Sequence, residues 1–102
     1  MLIKTLDCGN HVQDQFYSEL DSGIDYKATR YYRIIKHYRE GKWSPERLEN
    51  WFQERMRVYA NLKENGLTRP IYVDQENKIL DGNHRFAMLR TLGNKSVLIR
   101  RT

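Results

Sequence analysis

The run from Asn77 to Gly93, N-K-I-L-D-G-N-H-R-F-A-M-L-R-T-L-G, constrains this chain more than any other. It reads as a short buried strand at Lys78–Leu80, an abrupt Asp81-Gly82 turn and a helix that begins at Asn83 or His84. Asn83 suits the N-cap, because its side chain accepts from backbone N–H groups left open at a helix start. Gly93 stands where a glycine ends a helix. Gly82 lets the backbone turn sharply and approach a ligand closely. The helix start offers N–H groups and the positive end of the dipole to an anion. His84 and Arg85 add two side chains that hold phosphate, and Asp81 sets a carboxylate beside them. A nucleotide phosphate is the natural guest. An ordinary turn followed by a solvated His-Arg pair accounts for the same five residues, so the surroundings must decide.

Upstream of the turn the pattern changes from helical period to short apolar runs at Pro70. Ser44-Pro45-Glu46 is a helix start: serine caps, proline suits the first helical position and Glu46 favours the positive dipole end. The helix runs to Glu64 or Asn65 and stops at Gly66. Leu48, Trp51, Phe52, Tyr59 and Leu62 make its buried stripe, with Met56 at one margin. Arg55 falls inside that stripe. A charge there needs a partner, an anion or a route for its head to water. Ile71–Val73 reads as a strand, Asp74–Asn77 as a turn and Lys78–Leu80 as the hairpin partner. Asn94-Lys95 turns the chain into a last strand over Ser96–Arg100. Along the helix after Gly82, Arg85, Met88, Leu89 and Leu92 share a face.

The first half is more helical. Leu2–Leu6 suits an opening strand and Gln13–Leu20 a short helix. From Lys27 to Glu40 the residues Tyr31, Ile34, Ile35 and Tyr38 form an apolar stripe, and Gly41 ends the helix. Arg30, Arg33, Lys36 and Arg39 lie off the stripe. That basic face is either solvated surface or a contact for a nucleic-acid strand; the tyrosines on the core side favour the solvated surface. The expectation is a single α/β domain of the α+β kind. A helical extension at 1–43 precedes a motif-bearing core at 44–102.

The apolar run Pro70-Ile71-Tyr72-Val73, the segment Ile79-Leu80-Asp81-Gly82-Asn83-His84-Arg85, then Ala87, Leu92-Gly93 and Val97-Leu98-Ile99 together resemble the ParB/sulfiredoxin superfamily. The likeness covers about Leu48 to Arg100. It implies a small mixed sheet with packed helices and a nucleotide, ATP or CTP with Mg2+, at Gly82, Asn83, His84 and Arg85. It implies further polar contacts from the preceding helix, at Arg57 and Asn61. Sulfiredoxins carry a cysteine where this chain has Asn83, so their thiol chemistry is not expected. The chain ends two residues after its last strand, so the DNA clamp of the partition proteins is not expected either. Asp81-Gly82-Asn83-His84-Arg85 is nearest in type to the small-molecule kinases of the superfamily. The resemblance therefore implies a phosphotransferase or nucleotide hydrolase, with Asp81 and His84 catalytic. Asp25 and Asp74 are weaker candidates for the carboxylate. The alternative is a non-catalytic DNA- or RNA-binding or regulatory module, with Arg30, Arg33 and Lys36 on phosphates.

Charge bears on both readings. Lys and Arg number 18 against 13 for Asp and Glu, a formal +5, which permits attraction to nucleic acid or to phosphorylated small molecules. Cys8 is the lone cysteine, so no internal disulfide and no cysteine zinc cluster can form. His11, His37 and His84 show no metal-ligand spacing, and no protein metal site is expected. The start, Met1 to Leu6, is too short and polar for a signal peptide, and no apolar run is long enough to span a membrane; a cytoplasmic location is expected.

Overall fold

The computed structural model describes residues 12–66 and 69–102. The expected opening strand at Leu2–Leu6 lies outside them. The elements in order are α1 (Val12–Asp21), a single 3-10 turn at Tyr26–Ala28, α2 (Arg30–Arg39), α3 (Pro45–Asn65), β1 (Ile71–Val73), β2 (Ile79–Asp81), α4 (Asn83–Thr91) and β3 (Ile99–Arg101). Among the described residues the fold is α+β, four helices with a three-stranded mixed sheet of order β2-β1-β3. β2 runs antiparallel to β1, with Tyr72 opposite Asp81 and Val73 opposite Ile79 across a bulge. β3 runs parallel to β1, with Ile71 opposite Ile99. No helix among the described residues is long and apolar enough to cross a membrane.

Local chemistry accounts for the element ends. Ser44 Oγ accepts from Arg47 N at 3.1 Å and Pro45 opens α3; Gly66, at φ +76°, closes it. Thr29 Oγ1 accepts from Tyr32 N at 3.1 Å and starts α2. Asp74 accepts from Glu76 N and Lys78 N at 2.8 and 2.9 Å, which shapes the β1–β2 turn.

One core draws on both halves of the chain. Phe16 and Tyr17 from α1 and Tyr31 from α2 pack with Phe52, Tyr59 and Leu62 of α3 and with Ile71, Val73, Phe86 and Met88. Phe16, Tyr17, Phe52, Phe86 and Met88 are fully buried. α4 is enclosed by α1, α3 and β1, which is why four consecutive residues, Phe86 to Leu89, are buried rather than one stripe. The described segment 12–43 thus supplies part of the core.

Four sequence expectations need correction. β2 occupies Ile79–Asp81, one residue later than expected, so Asp81 ends a strand rather than opening a turn. Gly82 then holds the N-cap position of α4 in the left-handed region, φ +102°, and Asn83 is the first helical residue with no capping side chain. β3 occupies Ile99–Arg101, later than the expected Ser96–Arg100, and Val97 before it is buried in the core. The inward face of α2 is Tyr31, Tyr32 and Ile35, whereas Ile34 and Tyr38 are 42% and 60% exposed. Tyr32 sets that phase by packing on Tyr26 and Phe52, with ring centroids 5.6 and 5.1 Å away.

Candidate functional site

The path from β2 to α4 turns through one residue. At φ +102° Gly82 occupies backbone space that side chains rarely adopt. A Cβ there would also lie 2.8 Å from Ile71 Cδ1 and 3.0 Å from Arg85 Nη2. With no side-chain cap, the N–H groups of Asn83, His84 and Arg85 have no acceptor from the helix itself. They open at one end of a cleft of about 560 Å³. α3 lines its opposite wall with Glu54, Arg55 and Val58, and Gln13 and Arg69 close the sides.

Each residue expected at the site has a definite place. His84 is largely enclosed by aromatic rings: Trp51, Tyr31 and Tyr17 have centroids 5.5, 5.7 and 6.0 Å from the imidazole. Tyr17 Oη lies 2.7 Å from Nδ1 and Tyr31 Oη 3.1 Å from Nε2. In a neutral imidazole one nitrogen donates and the other accepts, so one tyrosine gives a hydrogen bond and the other receives one. Burial, with the Arg55 charge adding to it, lowers the His84 pKa to about 4. Burial likewise pushes the Tyr17 and Tyr31 hydroxyls up. The Tyr17–His84–Tyr31 chain is therefore neutral at pH 7, and His84 is an anchor for α4 rather than a positive charge at its mouth.

Arg85 folds back over Gly82. Its Nη1 donates to the carbonyls of Arg69 and Pro70 at 3.2 and 3.1 Å, and Nη2 is 3.7 Å from Asp81 Oδ2. The guanidinium therefore ties the start of β1 to the first turn of α4. Asp81 keeps an exposed carboxylate at the cleft edge. Asp25 accepts from Lys27 N and Asp74 from the β1–β2 turn; neither lines the cleft. Backbone hydrogen bonds from Lys78 and Glu76 hold the Asp74 carboxyl below its usual range.

The α3 residues expected at the nucleotide are not brought to the cleft. Arg57 pairs with Glu54 at 2.7 Å and is exposed, and Asn61 bonds Asn65 at 2.8 Å. Arg57 stands about 200° round the helix from Arg55. The residue at the cleft is Arg55. Its guanidinium lies 5.6 Å from the Trp51 ring centroid, and its Nε is buried with no hydrogen-bond partner among the described residues. Its place inside an apolar stripe was the signal in the sequence; Arg69 and Gln13 carried none. Arg30, Arg33 and Lys36 all sit on α2, away from this cleft.

No group of three or more His, Cys, Asp or Glu that can hold a metal occurs among the described residues. Of the two carboxylates that line the cleft, Glu54 is paired with Arg57; Asp81 suits a magnesium ion that takes its remaining ligands from phosphate and water. No family model matches the chain, and no curated protein or solved structure matches it.

Proposed function

We propose that the cleft at the mouth of α4 binds a phosphate-bearing ligand, a nucleotide of the ATP or CTP kind carried with Mg2+. The observation that carries this reading is the pairing of two features across one cleft. On one side stand open N–H groups behind a glycine that leaves the backbone bare. On the other stands Arg55, a guanidinium whose buried Nε has no hydrogen-bond partner among the described residues. Anions are favoured at such a helix start, and a guanidinium binds phosphate oxygens in pairs. The resemblance to the ParB/sulfiredoxin superfamily supports the same reading through Asp81 to Arg85.

The roles then divide. Asn83, with the backbone at Gly82, His84 and Arg85, faces the phosphate. Arg55 and Arg69 supply positive charge. His84 and Arg85 hold the mouth in shape through their side chains. Asp81 either meets a phosphate-bound magnesium or takes the proton of an acceptor hydroxyl, which would make the protein a phosphotransferase or a nucleotide hydrolase. Calorimetric titration with ATP, CTP, ADP and GTP, with and without magnesium, tests this. Replacing both guanidiniums, Arg55→Ala with Arg69→Ala, is expected to weaken the best nucleotide by roughly 3–6 kcal/mol, from about 1.5–3 kcal/mol per charged contact. Unchanged binding in that variant places the phosphate elsewhere.

A further inference from the structure

A second concavity lies on the other side of α3, between the C-terminal half of α2 and the start of α3. It has a volume of about 680 Å³ and shares no lining residue with the cleft at α4. Arg33, Lys36 and Arg39 line it, and none of the three has a carboxylate partner among the described residues. Two acids also stand in its wall. Glu49 accepts from Tyr26 Oη at 2.9 Å and lies 3.9 Å from Lys27, and Glu40 lies 3.9 Å from His37.

Aromatic rings are set among these cations. The Arg39 guanidinium is 4.5 Å from the Trp43 ring centroid and 5.0 Å from that of Tyr38. Lys42 approaches Tyr38 to 5.0 Å and Arg47 approaches Trp43 to 4.7 Å. Tyr38 stands beside the groove rather than in its lining and stays 60% exposed although Arg39 and Lys42 lie over its ring, and Arg39 Nε is buried with no hydrogen-bond partner among the described residues. This surface therefore combines unpaired positive charge, a guanidinium with an unmade hydrogen bond and an exposed ring.

We infer that this groove binds single-stranded nucleic acid. Phosphates take the places that carboxylates leave open on Arg33, Lys36 and Arg39, and at the rim a base stacks on the part of the Tyr38 ring that Arg39 and Lys42 leave open. A duplex hides its base faces, so an exposed tyrosine adds affinity only where bases are unstacked. An acidic peptide would meet the cations but leave Tyr38 without a planar partner.

Fluorescence anisotropy of a labelled oligothymidylate and an oligouridylate, in a salt series, tests the inference. Wild-type protein binds at low salt, and log affinity falls linearly with log salt. Arg33→Glu with Lys36→Glu flattens that slope by about two. Tyr38→Ala weakens binding by about fivefold to a hundredfold, and Tyr38→Phe retains it. Lys95→Glu with Arg100→Glu, an equal change of net charge at exposed positions off this groove, leaves the affinity near wild type. All of these positions are exposed, and circular dichroism checks that the variants fold. Absence of binding at the lowest salt overturns the inference. So does equal weakening by the Lys95/Arg100 pair, no loss with Tyr38→Ala, or polyglutamate competing as well as the oligonucleotide. The Arg55 and Arg69 variants leave this binding intact, so the groove and the phosphate cleft fail or stand separately.

Discussion

Tyr17 Oη and His84 Nδ1 lie 2.7 Å apart although 67 positions separate the two residues in the chain. With Tyr31 on the other ring nitrogen, this contact fastens the first turn of α4 to α1 and α2. The helix mouth is therefore held by the N-terminal half of the chain, not by the sheet alone.

The enclosure of His84 makes stability depend on acid. Its ordinary pKa of 6.5 falls to about 4 in the folded protein. Between those values the unfolded chain binds a proton that the folded chain refuses, so stability rises with pH through that window and is lost as pH falls through it. The loss between pH 7 and pH 5 is expected to be about 2 kcal/mol. The lowered carboxyls of Asp21 and Asp74 act at lower pH, below the ordinary 3.8 of an aspartate. Urea unfolding of wild type and His84→Gln at the two pH values separates the terms. Parallel pH dependence in the two proteins would show that His84 does not carry the effect.

Gly82 and Gly93 both have positive φ, +102° and +83°, but only Gly82 has close neighbours where a Cβ would go. Gly93→Ala therefore meets the backbone preference alone, about 1–2 kcal/mol. Gly82→Ala adds contact with Ile71, itself fully buried, and overpacking adds about 1–3 kcal/mol more. Chemical denaturation of the pair is expected to rank Gly82→Ala as clearly the less stable. Equal losses would mean that the turn relaxes around the new methyl group.

The phase of α2 is checked by truncation. Ile34 is 42% exposed, whereas Phe52, against which α2 packs, is fully buried. Phe52→Ala is expected to destabilise by about 3–5 kcal/mol, and Ile34→Ala by no more than about 0.5 kcal/mol. A large loss with Ile34→Ala would restore the stripe of Tyr31, Ile34, Ile35 and Tyr38 read from the sequence.

What was legible divides by range. α3 was readable to within a residue because its signals, Ser44-Pro45 and Gly66, act within one turn of the chain. The strand–glycine–helix path at the mouth was readable for the same reason. Its fine placement was not, because β2 extends by pairing Asp81 with Tyr72 on another strand. The face of α2 depends on Tyr26 and Phe52: Tyr31 and Ile35 face inward as expected, but Tyr32 takes the place given to Ile34 and Tyr38. The far wall of the cleft depends on how α3 lies against α4: Arg55 lines it, whereas Arg57 and Asn61, which the family resemblance implied, do not. The tyrosines on His84 come from α1 and α2, and no local pattern names them as its partners.

Arg55 and Arg85 offer the sharpest contrast, because both are arginines near one helix mouth with different work for their heads. Arg85 spends its Nη1 on two backbone carbonyls and its Nη2 near Asp81, and its side chain is 17% exposed. Removing it leaves the carbonyls of Arg69 and Pro70 without a donor at the start of β1. Hydrogen bonds to a charged group are worth about 1.5–3 kcal/mol. The Asp81 contact, with that carboxylate exposed, adds little. Arg85→Ala is therefore expected to destabilise by about 2 kcal/mol, with nucleotide affinity reduced only as far as the mouth loosens. Arg85→Lys does not rescue it, since an ammonium cannot span both carbonyls and the carboxylate as a planar fork does. Arg55 makes no hydrogen bond through its buried Nε among the described residues. Arg55→Ala is expected to leave stability within about 1 kcal/mol of wild type while lowering nucleotide affinity by at least about tenfold. Denaturation and calorimetric titration on the same three proteins read both axes. If Arg85→Ala loses binding without stability and Arg55→Ala loses stability without binding, the two roles are reversed and the phosphate lies against Arg85.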